Sequence, residues 1–188
     1  VDAHADLHSP YTSPSGNIHG MPLAAALNRD NLDYKTNEIS QETAALWNKM
    51  KNIGIYGQKV EAQNLIYFGV RDTEEAEDKS IEEKQIKNYT VQEAVQKLDG
   101  CDMIYISLDV DSMDCDMISK GTGTPVSIGF DIDEAIQIIN AFVSTGKTNC
   151  FEVVEVNPTL DNRGNKMAEA AFKVLKATTI SITEKMIN

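Results

Sequence analysis

Basic residues are scarce in this chain: seventeen lysines and arginines stand against twenty-nine acids, a formal charge of −12 over 188 residues. Such a surface repels phosphate backbones and anionic lipid, so nucleic acid and membranes are excluded as partners and a small cationic substrate suits it better. Cysteine is also scarce. Cys101, Cys115 and Cys150 are odd in number, widely spaced and without a C-x-x-C pair, which argues against a disulfide framework and a zinc knuckle. Reduced thiols are expected, with Cys115 set apart by its acidic neighbours. No apolar run approaches the ~20 residues of a membrane span and no signal segment opens the chain, so the expected compartment is the cytoplasm. A complete phosphate-binding loop is missing as well: "TGKT" (145–148) has Ala141 where the leading glycine must stand.

What is present reads as one globular domain over residues 1–188, with 41% hydrophobic residues. Three apolar runs rich in β-branched and aromatic residues, 64–70, 102–110 and 150–156, are predicted as buried parallel strands. Helical patterns fill 73–86, 90–98 (opening with the capping box Thr90-x-x-Glu93), 131–144 (opening with Asp131-x-x-Glu134) and the segment after the last strand. Strand alternates with helix, so the class is α/β with a mostly parallel sheet.

The chemistry gathers where such sheets bind ligands, at the carboxyl ends of the strands. The 102–110 run ends in "SLDVDSMD", with Asp109 and Asp111 on one face and Asp114 just beyond, while Glu155 closes the 150–156 run. Converging carboxylates repel unless a cation neutralises them or some keep their protons. The opening "VDAHAD" adds Asp2, His4 and Asp6, spaced to share one face of an extended segment. Oxygen-rich donors with a single imidazole and no thiolate suit Mn²⁺ or Mg²⁺, and their number points to two ions. Nothing precedes this face and no methionine opens the chain, so a longer protein is expected, with "VDAHAD" a frayed, unpaired sheet edge prone to self-association.

The ordered motifs "DAHAD", "SGNIHG", "SLDVDSMD", "GTGTP" and "EVNPTLD…NKMAEAA" resemble the ureohydrolases, and within them the bacterial-type arginases. The resemblance implies a three-layer α-β-α fold and a binuclear manganese hydrolase that converts L-arginine to L-ornithine and urea. It also implies a homotrimer or hexamer. By the same resemblance Asp2 and Asp109 bridge the metals, His4 and Asp111 complete one site, and Asp6 serves the other. That second site takes in the family a further histidine from an upstream "GGDH"-type motif, which this chain does not contain.

The resemblance assigns Glu155 to the guanidinium and His19 to proton transfer. Ser13, Ser15, Asn17 and His8 match positions that contact the α-carboxylate, Ser13 standing for the usual threonine and His8 for the usual asparagine. Glu74 and Glu77 match the acids that meet the α-amino group, Glu74 replacing a shorter aspartate. The alternatives are an agmatinase-type amidinohydrolase, whose substrate lacks the α-carboxylate, and an inactive metal-binding fragment or pseudoenzyme.

Overall fold

A computed structural model describes residues 1–187, which divide into two compact units. The first comprises 1–3, 68–71 and the chain from 88 onward; the second comprises 4–67 and 72–87.

The first unit is built on two parallel strands, β1 (Ile104–Asp109) and β2 (Thr148–Val154). Their register is irregular after the Ile104↔Thr148 pair and then runs from Tyr105↔Cys150 to Asp109↔Val154. Residues 1–3 lie along β1, the Val1 nitrogen donating to Ser107 O and Asp109 N donating to Val1 O, each at 2.9 Å. Across from β1 they meet residues 68–71: Asp2 N donates to Phe68 O at 2.9 Å and Arg71 N to Ala3 O at 2.8 Å. The opening residues are therefore bonded on both sides, and the expected unpaired edge is corrected.

The expected strand over 64–70 is also corrected. Residues Ala62–Asn64 form a 3₁₀ turn, and Gly69 takes φ +86° where a Cβ would meet the Phe130 ring at 2.6 Å and Asp2 O at 3.2 Å. That backbone cannot continue a ladder. Its apolar side chains are used for packing instead, Phe68 meeting Phe142 edge to face at 5.4 Å between ring centroids.

The helices of this unit begin where the capping boxes predict. They are α4 (Val91–Leu98) behind Thr90 and α5 (Ile132–Val143) behind Asp131, whose carboxylate accepts from Glu134 N at 2.8 Å. The final helix, α6, spans Lys166–Ile187. Ala135, Ile138, Ile139, Phe142 and Val143 bury one stripe of α5, and α5 packs on both α6 and α4. Under that cover Ile104, Ile106 and Leu108 are buried, whereas Tyr105 between them is 62% exposed. Burial on both faces was expected of β1, but the described chain covers only one.

The second unit holds α1 (Pro22–Ala26), α2 (Gln41–Lys51) and α3 (Glu75–Lys84) among long irregular segments. Proline opens α1, whose free amides at Leu23 and Ala24 both donate to Asp6 O. Asp6 reaches them with a left-handed backbone, φ +55°. Ser40 caps α2 by accepting from Thr43 N at 3.0 Å, and α2 then seats Trp47 against Met21 and Ala24. The Trp47 Nε1 donates to Asp30 Oδ1 at 2.7 Å, so the one tryptophan leaves no buried donor unpaired. The three thiols are free, as expected, with Cys115 buried 3.7 Å from Ser127 Oγ.

Candidate metal and substrate site

In the first unit the carboxyl end of β1 is where the acids gather. The register pairs Asp109 with Val154, which sets Glu155 one residue beyond the end of its strand, in a left-handed conformation at φ +62°. Asp109 Oδ1 accepts from Asp111 N at 2.9 Å and so caps a 3₁₀ turn, Val110–Ser112, that brings Asp111 back beside it. Ser112 Oγ tightens the turn by donating to Asp109 O at 2.5 Å. Carboxylate oxygens of Asp109, Asp111 and Glu155 come within 4.8 Å of one another, and Asp2 approaches Asp111 within the same distance. Asp111 has a definite orientation: Oδ1 accepts from Ala3 N at 3.1 Å and Oδ2 from the Thr124 hydroxyl at 3.2 Å.

Burial sets the electrostatics here. Asp109 is 5% exposed and Asp111 1%. Loss of water, then the charges of Asp111, Asp2 and Glu155, push the Asp109 carboxyl up to about 10, against the one lowering effect of the Asp111 amide. Such a group holds its proton at neutral pH until a cation takes the proton's place.

In the second unit His8 is buried, with Nδ1 3.2 Å from Thr12 Oγ1 and Nε2 3.5 Å from both Glu74 Oε2 and Glu77 Oε2. Glu77 is buried too. It accepts from Leu7 N at 3.1 Å and Glu74 N at 3.3 Å, the latter closing the capping box of α3. Desolvation raises its carboxyl, and His8 and the two amides oppose the rise. The loop after His8 carries the serines: Ser13 Oγ accepts from Gly16 N at 3.0 Å and lies 3.4 Å from Ser15 Oγ, which accepts from Asn17 N at 3.2 Å. Ser13 is buried, while Ser15, Asn17 and His19 are exposed, His19 within the 3₁₀ turn Ile18–Gly20. His4 Nε2 stands 3.6 Å from Asp72 Oδ2. The expected shared face of Asp2, His4 and Asp6 keeps its alternation of burial, Ala3 and Ala5 being fully buried. The backbone is not a straight strand, since it bends at Ala3–His4 and turns left-handed at Asp6.

The model of the arginase family matches residues 1–180. This chain belongs to the arginase family. Arginase from Bacillus subtilis (strain 168) is 34% identical over an alignment 188 positions long that covers 94% of this chain and 57% of that protein. The solved arginase from Bacillus caldovelox superposes with a TM-score of 0.79 at 34% identity, covering 94% of this chain and 57% of that one. Helicobacter pylori arginase superposes with the same TM-score at 34% identity, covering 96% and 63%. The chain thus spans about three fifths of the length of these arginases, and its fold is the α/β, parallel-sheet fold of the family.

Members of the arginase family are generally metal-dependent, and the donor set in the first unit fits a hard divalent cation. The fit rests on the buried Asp109–Asp111 pair, whose mutual repulsion a cation would relieve. Two contributors in this arginase-family chain were not singled out from sequence. Thr124, inside the quoted "GTGTP", orients Asp111, and Arg71, one residue after the 64–70 run, bonds to the carbonyl of Asp111. Only the folded chain shows what they touch.

Proposed function

We propose that this chain carries the catalytic centre of a manganese-dependent arginase, a single catalytic domain that hydrolyses the guanidinium group of L-arginine to L-ornithine and urea. The observation that carries the reading is the buried carboxylate cluster at the end of β1 in a chain of the arginase family. Asp2 and Asp109 would bridge two Mn²⁺ ions, His4 and Asp111 would serve one, and Asp6 the other. When bound, the ions make water nucleophilic at neutral pH.

The chain's own residues do the rest. Glu155, beside Asp109 and Asp111, takes the guanidinium in a two-pronged contact that aims its carbon at the metal cluster. His19, on an exposed turn, delivers a proton to the departing amine of ornithine. Ser13, Ser15 and Asn17, which share one loop, receive the α-carboxylate together with His8. Glu74 and Glu77, which meet around His8, receive the α-ammonium. The three free thiols and the charge of −12 suit a cytoplasmic enzyme acting on a small cation, and assembly as a homotrimer or hexamer belongs to the same reading.

Urea release from L-arginine and from agmatine, each with Mn²⁺, tests it. We expect kcat/KM for arginine to exceed that for agmatine by at least about a hundredfold, because agmatine leaves the carboxylate loop unpaired. Equal turnover would replace the reading with an agmatinase-type amidinohydrolase. No turnover of either, with Mn²⁺ bound, would replace it with an inactive metal-binding fragment or pseudoenzyme.

A further inference from the structure

We propose that Arg71 is a positioning residue for the metal-binding turn, holding the backbone of Asp111 and thereby setting where its carboxylate stands. The inference rests on the reading of Asp109 and Asp111 as metal ligands. The Arg71 guanidinium is used entirely on backbone carbonyls of the first unit. Nε donates to Ser127 O at 2.9 Å; Nη1 donates to Gly69 O at 3.1 Å and Ser112 O at 3.4 Å; Nη2 donates to Asp111 O and Val126 O, each at 3.0 Å. A rigid fork with five donors in one plane meets five carbonyls from three chain segments, whereas a lysine ammonium has three donors on a single atom and cannot replace all five bonds.

The same residue reaches Asp111 by a second route. Its main-chain N–H donates to Ala3 O at 2.8 Å, and Ala3 N donates in turn to Asp111 Oδ1 at 3.1 Å. Arg71 thus fixes the carbonyl of Asp111 through its side chain and the carboxylate through its backbone. Gly129 borders the same passage: a Cβ there would fall 2.4 Å from Ser112 O, 2.7 Å from Met113 C and 2.7 Å from Arg71 Nη2, so a residue without a side chain leaves room for both the turn and the guanidinium. Groups that orient a ligand from outside commonly change metal affinity by about 10- to 100-fold.

Titration with Mn²⁺, followed by the electron paramagnetic resonance signal of the free ion and paired with thermal melts, tests this in R71K and R71Q. We expect R71K and R71Q to bind Mn²⁺ about tenfold or more weakly, with R71K regaining most of the metal-free melting temperature but not the affinity. Wild-type affinity in R71K and R71Q, or recovery of affinity along with stability in R71K, overturns the proposal. Should R71Q not fold, R71K alone decides by the same readout. Asp111→Asn separates the two levels: if it leaves Mn²⁺ affinity unchanged, the metal-site reading falls and the clamp with it, whereas weakening in D111N but not in R71K removes the clamp alone.

Discussion

Each unit buries a carboxylate, and the two are treated in opposite ways. Glu77, in the second unit, sits against the His8 ring and accepts from two backbone amides, so the protein itself supplies much of what burial takes away. Asp109, in the first unit, accepts from one amide and is crowded by Asp111, Asp2 and Glu155. Folding completes the environment of Glu77 and leaves that of Asp109 short of positive charge. A chain tolerates such a cluster at a cost in stability, and a site built this way is ready for a cation.

Removing one acid from the crowded cluster gives the largest expected effect and tests the contrast directly. Asp109→Asn should raise the melting temperature of the metal-free chain, because an amide is neutral there without having to take up a proton on folding, and should lower Mn²⁺ affinity by about a hundredfold or more. Calorimetric melts with and without Mn²⁺ measure both, and a metal-free melt that falls instead would break the contrast.

Next in size is the pH dependence. An Asp109 raised to about 10 holds a proton that the unfolded chain releases above about 4, so its contribution to stability is full at low pH and is lost as pH rises toward 10. Metal-free melting temperatures should therefore fall between pH 5 and 9, and Mn²⁺ should flatten most of the slope. Glu77, also raised by burial, leaves a remainder of the same sign that Mn²⁺ does not remove. A slope equally steep with and without Mn²⁺ would mean that the cluster is not where the cation acts.

The smallest effect belongs to the satisfied carboxylate. Glu77→Gln turns one of its two acceptor atoms into a donor facing an amide, at a cost of about 1–3 kcal/mol, or roughly 2–4 °C of melting temperature per kcal/mol. Stability should fall with Mn²⁺ affinity unchanged. A loss of affinity instead would show that the two regions are coupled.

Legibility in the sequence followed the range of the forces. The caps at Thr90 and Asp131 are local hydrogen bonds among four residues, and both helices start where they were read. The β1 and β2 runs were legible because β-branched residues cluster there, although β1 is shorter than its predicted span and β2 both starts and ends two residues earlier than predicted. The 64–70 run has the same composition but not the same structure, because Gly69 must clear Phe130 and Asp2, neighbours 61 and 67 positions away. Likewise α1 and α2 were passed over: Ser40 caps α2 from one side only, without the Glu three residues on that makes the start at Thr90 legible.

Sequence by itself determined the class of this protein: alternating strand and helix, an acidic surface, and ordered motifs that place it in the arginase family. It also determined which acids stand at the end of β1, since the spacing of Asp109 and Asp111 and the short distance from β2 to Glu155 are set by covalent order. Tertiary structure alone decided how those acids are held. The Arg71 fork, the Ala3 amide on Asp111 and the passage left by Gly129 join residues 40 to 108 positions apart. Long-range hydrogen bonds of that kind leave no periodicity in the chain, because they form only after strands and helices have packed and excluded the water that would otherwise compete for the same groups.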